Sequence, residues 1–389
     1  RADLPGRLGR PVIRQVMRLA GGGAALAAGG WVLRAAHGAP VALGADADAI
    51  EAAAGDSPNF RDGVFVNLES SSSISLSREE RRMLVRDLVL GRDTARPPAP
   101  IPLARPDFTG SAADLGVTWF GHSSVLIEID GYRVLADPVW SERCSPSRTV
   151  GPQRLHPVPA ELDALPALDA VIISHDHYDH LDVDTIWSLA RTQRCRFFVP
   201  LGVGAHLRHW GIAPERVVEL DWEAEASVGD LRIVCTPARH FSGRFLTRNT
   251  TLWSSWAMIG PRHRAFFGGD TGYTGSFADI GNQYGPFDLT LMPVGAYHPG
   301  WPDIHMNPEE AVRAHLDVTD VDAGVFVPIH WATFRLAPHP WSEPVERLLA
   351  AARASGVTVA VPMPGGQVRA GSTGPPGSVT TGQEDWWNL

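Results

Sequence analysis

The chain contains no lysine, so every permanently cationic side chain in its 389 residues is arginine. That bias fits a GC-rich genome as well as it fits any functional demand. There are only three cysteines, Cys144, Cys195 and Cys235, and no CxxC spacing. An odd, scattered set argues against a disulfide framework and leaves the three as packing residues. Positive charge is not in excess: the net charge is −9. A phosphate-binding face needs the opposite sign, so a nucleic-acid partner is not expected. A long apolar run is missing too. The nearest candidate, 19-LAGGGAALAAGGWVL-33, is too short and too glycine-rich for a spanning helix. No segment repeats at a fixed short period.

What is present is an ordinary globular balance, 44% hydrophobic and 20% charged, over a length that can bury a large core. Arg10, Arg14 and Arg18 precede the apolar stretch, and Arg34 and 36-AHG-38 follow it. This arrangement is similar to a bacterial export signal or a short anchor; the alternative is a flexible extension. Membrane-associated, exported and cytoplasmic locations therefore all stay open. Residues 1–56 read as separate from a body at 57–363, and 364–389, rich in Gly, Ser and Pro, reads as a flexible tail.

Ser77 and Glu80 form a capping box that opens a helix over 77–89. The proline-rich 95-ARPPAPIPLARPD-107 predicts an extended surface arm. From Val117 the pattern turns to strands at 117–120, 124–129 and 133–137. A long loop follows at 141–159; loops of this length are often functional. Then strands at 170–174, 196–200, 216–220, 231–236, 265–269, 289–294 and 324–329 alternate with helices at 182–190 and 307–316. Asn307, Pro308 and Glu310 open the last helix.

The chemistry lies where those strands end. In 174-SHDHYDH-180, three histidines and two aspartates leave one apolar strand. His240, Asp270 and His330 each leave another. Sites in layered α/β folds gather beyond strand termini. A single His at a strand end is usually an ordinary hydrogen-bonded residue, and that reading suits His206, His209, His263, His315 and His339. It suits the cluster poorly, because crowding so many titratable groups beside a buried strand is costly without a ligand. Imidazole with carboxylate fits zinc, and also iron or manganese. The count suits two ions: His175, His177 and His240 on one, Asp179, His180 and His330 on the other, and Asp270 bridging.

The HxHxDH run with later single His, Asp and His residues resembles the metallo-β-lactamase superfamily. More narrowly, the chain resembles the N-acylphosphatidylethanolamine-hydrolysing phospholipase D family, as a bacterial member. The segments 120-FGHSSVLIEIDG-131, 136-ADPVWSERCSPS-147, 151-GPQR-154, 169-DAVIISHDHYDHLD-182, 268-GGDTGY-273, 305-HMNPEEAV-312 and 329-IHWATF-334 carry the likeness, in family order from about residue 57 to 360. The resemblance implies an α/β fold, an αββα sandwich of the metallo-β-lactamase type, with two Zn2+ held by the same ligand sets. It implies phospholipase D-type hydrolysis to phosphatidic acid and an N-acylethanolamine by a hydroxide shared between the ions, with Asp179, Asp270 and His305 in catalytic roles. Asp137 matches an early buried aspartate that orients metal histidines, and His122 stands beside it at the strand ends as a supporting residue. Tyr178 and His305 are candidate substrate contacts. Arg143, Arg148 and Arg154 are candidate head-group contacts, with solvated loop charges the blander reading. A homodimer is implied weakly, and docking on a membrane surface is open.

One stretch departs from the family. The segment before His305 is 297-YHPGWPDIH-305, with two prolines and an aspartate where the family has an aromatic, apolar run. That puts acyl preference in doubt. Hydrolysis of another ester, such as a lactone or a small phosphodiester, is the competing enzymatic reading. A non-catalytic envelope-associated binding protein is the third, and the complete ligand set argues against it.

Overall fold

The computed structural model describes residues 30–31, 34–55, 57–71, 76–90, 93–244, 247–319, 324–369, 379–380 and 385–389. The signal-like stretch 19–33 lies outside these, save for 30–31. Among the described residues no helix is long and apolar enough to cross a membrane.

After a short hairpin, β1 (Phe60–Arg61) and β2 (Val64–Phe65), the chain builds two sheets. The first contains β3 (Leu115–Gly121), β4 (Ser124–Ile129), β5 (Tyr132–Ala136), β6 (Ala170–Ile172), β7 (Arg196–Pro200) and β8 (Val217–Leu220). The second contains β9 (Glu225–Val228), β10 (Leu231–Thr236), β11 (Ser255–Ile259), β12 (Arg264–Phe267), β13 (Leu289–Pro293), β14 (Val325–Ile329) and β15 (Val359–Ala360). Then β16 (Gln367–Arg369) joins the edge of the first sheet beside β3, and β17 (Val379–Thr380) joins the second beside β15.

The central strands are largely apolar because both faces of each sheet are covered there, while the edge strand β9 alternates exposed and half-buried residues. Along β4, Val125, Ile127 and Ile129 enter a core that also holds Ile233, Trp256, Phe267 and Leu291 of the second sheet. The intervening Leu126 points the other way, into a cluster with Ile186 and Leu189 of helix Val183–Thr192 and Leu207 of helix Val203–His209. Helices Ser276–Tyr284, Pro308–Val318 and Glu343–Ser355 cover the outer face of the second sheet, where Phe277 packs on Phe266. The layers run helix, sheet, sheet, helix.

Strand direction decides where side chains of the loops meet. The pairs β5–β6–β7–β8 are parallel, as are β12–β13–β14–β15. Antiparallel partners separate β3 from β5 and β10 from β12, so those strands also run the same way. The C-terminal ends of β3, β5, β6, β10, β12 and β14 therefore open on one edge of the sandwich.

Both expected chain boundaries are corrected. Residue 56 does not separate an extension from the body. Helices Ala39–Leu43 and Ala47–Ala54 bury Ala42, Ile50 and Ala54. Val41 O accepts from Trp210 Nε1 at 2.8 Å, Ala42 O from Arg244 Nε at 2.9 Å, and Ala45 N donates to His206 Nδ1 at 3.0 Å. Helices this short hold only when docked. The described parts of 364–389 are no free tail either: β16 pairs with β3, and Trp386 and Trp387 are buried. The flexible reading weighed glycine and proline and neglected two indoles, each a large apolar surface that seeks a core.

Candidate metal centre

The seven expected ligands converge at that edge. His175 and His177 leave β6, and His175 Nε2 lies 2.8 Å from His177 Nδ1. His240, past β10, brings Nε2 to 3.4 Å from the same atom, and its Nδ1 is fixed by Ile304 O at 3.0 Å. Asp270, past β12, is the hub. Its Oδ2 lies 3.0 Å from His330 Nε2, 3.2 Å from His180 Nε2, 3.7 Å from His240 Nε2 and 4.0 Å from His175 Nε2. Asp179 Oδ2 lies 3.4 Å from His330 Nε2 and 3.5 Å from His180 Nε2.

His122 comes closer than its supporting role requires. Its Nε2 is 2.9 Å from Asp179 Oδ2, and it forms one potential ligand group with Asp179, His180 and His330. Asp137 stands behind His180. It takes Ser174 N at 2.6 Å and Ser174 Oγ at 2.5 Å, and its Oδ2 is 2.6 Å from His180 Nδ1. That contact fixes His180 so that Nε2 faces the cluster.

Electrostatics show what the cluster needs. Asp137 and Asp270 are removed from water and Asp179 is largely so, and among the described residues only histidines pair with the three as cations. Burial opposes charge on His180 and His330. The carboxylates of Asp270 and Asp179 overcome it, raising His330 to about 9 and His180 well above its usual range. Burial likewise opposes charge on Asp179 and Asp270, yet the imidazoles hold both well below the carboxylate range. His180 Nε2, His330 Nε2 and Asp270 Oδ1 are buried without a hydrogen bond. Converging imidazole nitrogens and carboxylate oxygens that meet only one another, where positive charge is demanded, fit a divalent transition metal.

His305 completes the rim. Its Nδ1 is 3.8 Å from Asp270 Oδ2, and burial lowers its pKa to about 3, which keeps the ring neutral. It also lines a cavity of about 640 Å³ walled by Met83, Leu84, Tyr297, Pro299, His339 and Arg347, among others. The departing segment is thus a cavity wall: Tyr297, His298, Pro299 and Pro302 line it, while Asp303 turns to Arg239 at 3.0 Å.

Tyr178 is a correction. It does not line the cavity. Its hydroxyl donates to Arg244 O, and its ring lies 4.2 Å from the Arg244 guanidinium carbon. The side chain after His177 points back into the protein, where a buried cation claims it. The loop arginines are also engaged internally. Arg143 donates to Gly151 O and Gln153, Arg148 pairs with Asp184 at 2.7 Å, and Arg154 donates to Val139 O and Ser141 O. The cysteines are all free and buried.

Some residues had no signal in the sequence. Arg244 is buried and donates to Asp176 O at 2.6 Å and Leu181 O at 2.9 Å, clasping both ends of the ligand run. Asp176 Oδ1 takes Gly243 N at 2.7 Å, which ties that run to the His240 loop. Thr333 Oγ1 accepts His122 N at 2.6 Å and meets His156 Nε2 at 3.0 Å. These partners are distant in sequence, and no spacing could announce them.

Comparison with known proteins agrees with this geometry. The profile of the β-lactamase superfamily domain matches residues 132–331, about half of the chain. The chain belongs to the β-lactamase superfamily. It is a metal-dependent hydrolase of that superfamily. An uncharacterized protein of Mycobacterium tuberculosis is 64% identical over 97% of this chain and 100% of its own length. N-acyl-phosphatidylethanolamine-hydrolyzing phospholipase D 1 of Caenorhabditis elegans is 40% identical over 58% of this chain and 65% of its own length. Among solved structures, the metallo hydrolase Igni18 of the archaeon Ignicoccus hospitalis shares the fold, with a TM-score of 0.50 and 24% identity over 65% of this chain and 97% of its own.

Proposed function

We propose that this hydrolase cleaves N-acylphosphatidylethanolamine-like lipids to phosphatidic acid and an N-acylethanolamine, with two zinc ions. The convergence of six His and Asp side chains with Asp270, and His305 joining them to a large cavity, carries the reading. The lipid is taken from the nematode relative. His175, His177 and His240 would hold one ion and Asp179, His180 and His330 the other, with Asp270 shared, and the bound metal would supply Lewis-acid polarisation of the phosphodiester and a lowered pKa for water.

The chain's own groups then have distinct tasks. Water adds to phosphorus, the phosphorus–oxygen bond to the N-acylethanolamine breaks, and the leaving oxygen takes up a proton. Asp179 is the carboxylate to receive the proton of the attacking water, and His122 at 2.9 Å orients it. His305, kept neutral by burial, offers an imidazole N–H to a phosphate oxygen. Met83, Leu84 and the prolines of the cavity wall keep water from the acyl portion. Met83 and Val85 are exposed on helix Arg78–Leu90 beside Arg81, Arg82 and Arg86, a surface suited to docking on an anionic bilayer. Liposome flotation checks this: protein that stays wholly in the soluble fraction speaks against docking.

The test follows N-acylphosphatidylethanolamine in detergent micelles by mass spectrometry, comparing the zinc-loaded protein with Asp270→Asn. Phosphatidic acid and N-acylethanolamine are expected from the wild type alone. Protein that holds close to two metals yet yields neither product overturns the lipid assignment. Hydrolysis of a lactone or smaller diester is the second reading. It is favoured by the polar wall of Glu310, Glu343 and Arg347.

A further inference from the structure

The last residues of the chain have no part in the chemistry above, yet Trp386 lies behind the metal centre. Its ring centroid is 5.2 Å from that of Trp331 and 6.2 Å from that of Trp119. Trp119 and Trp331 stack at 5.8 Å with an interplanar angle of 10°, and Trp341 closes the group at 6.3 Å from Trp386. All four indoles are buried, and Trp386 Nε1 donates to Val361 O at 3.2 Å.

This group bears on two backbone positions of the site. Trp331 follows His330 directly. Trp119 Nε1 donates to His122 O at 2.8 Å, and that carbonyl also accepts His330 N at 3.0 Å. His122 and His330 both have left-handed backbones, φ 53° and 62°. Non-glycine residues persist there only where the surroundings enforce it. The enforcing contacts are the shared carbonyl, the Thr333 hydroxyl on His122 N and the packed indoles. The far end of the chain supplies two pieces of that packing: Trp387, edge-on to Trp331 at 6.5 Å, and Trp386, which touches both Trp331 and Trp119.

We infer that Trp386 is a positioning residue for the His122–His330 side of the metal centre, acting through Trp119 and Trp331. The inference rests on the reading of His330 as a metal ligand. Without the indole, Trp119 and Trp331 lose the surface that both of them share. The two left-handed turns can then relax, and the His330 imidazole loses its aim.

The experiment measures zinc affinity by competition with a chromophoric chelator, together with the visible spectrum of cobalt-loaded protein. The variants are Trp386→Phe, Trp386→Leu and Trp386→Ala, with Leu189→Ala as a core truncation in the opposite helix layer. Support for a metal ligand commonly contributes about 10–100-fold in affinity, and a loss in that range is expected for the Leu and Ala variants. Trp386→Phe should recover most of it, and Leu189→Ala should lower Tm while leaving affinity and spectrum unchanged. Wild-type affinity in Trp386→Leu and Trp386→Ala overturns the inference, as does an equal loss in Leu189→Ala. If Trp386→Ala does not fold, the Leu and Phe variants decide by the same criterion. A wild type that binds no metal would instead sink the metal reading itself, and absence of lipid turnover touches neither.

Discussion

Asp137 never meets substrate, and its effect is local. It is buried and bonded to Ser174 and His180. Asp137→Asn should preserve the fold but weaken zinc binding by about 10–100-fold, read by chelator competition; unchanged affinity would leave Asp137 with a purely structural role. His305→Gln should keep metal content and lower kcat by about 10²–10⁴-fold, the usual range for a lost proton-transfer or polarising group. Inductively coupled plasma analysis beside steady-state kinetics separates the two effects. The 174–180 cluster was legible in the sequence because its residues are adjacent and must share one strand end. Tyr178 was misread for the same reason: adjacency says nothing about direction, and a buried guanidinium decided it. Arg244, Asp176 and Thr333 were illegible because each acts across 60 residues or more.

At the scale of elements, helix Pro308–Val318 begins at a capping box in which Asn307 Oδ1 accepts Glu310 N at 2.9 Å and Glu310 Oε2 accepts Asn307 N at 3.0 Å. That box also sets the helix entry two residues after His305. Asn307→Ala should cost about 1 kcal/mol of stability, measured by urea titration. The same helix passes close to Ser276–Tyr284 at Gly281, where an added Cβ would stand 2.2 Å from Asp317 O. Backbone cannot yield as a side-chain tip does, so Gly281→Ala should destabilise by about 1–3 kcal/mol. A wild-type Tm for Gly281→Ala would show that the two helices separate freely. Caps and long apolar strands were readable from local pattern. The short strands β1, β2, β9, β15, β16 and β17 were not, because two to four residues carry too little periodicity to outweigh their neighbours; the buried five-residue β11 and helix Glu343–Ser355 escaped the local pattern as well.

At the scale of the molecule, pH and metal act on the whole fold. His315 is buried, with Nδ1 2.7 Å from Thr290 Oγ1, and burial lowers its pKa from 6.5 to about 3. The unfolded chain therefore binds a proton between those values that the folded chain refuses. Its contribution is intact above pH 6.5 and is lost as pH falls toward 3. Between pH 7 and pH 5 this one group costs about 2 kcal/mol. His315→Gln should flatten the pH dependence of metal-loaded protein over that interval; an equally steep curve would show that other groups carry it. Removing metal with a chelator should lower Tm and re-adding zinc restore it, by about 4 kcal/mol at a thousandfold excess over Kd.

The sequence by itself determined the layering and where the titratable residues gather. Apolar strands long enough to be buried on both faces require helices outside, and titratable residues at strand ends require something positive between them. Only the tertiary structure decided how the chain's ends are used. Whether Ala39–Ala54 and Trp386 lie free or docked depends on complementary surfaces that lie from tens to about two hundred residues away, and composition does not encode distance. The same holds for the left-handed turns at His122 and His330. Histidine tolerates this conformation better than most residues, but it is packing and hydrogen bonds from three separate parts of the chain that hold it at these two positions.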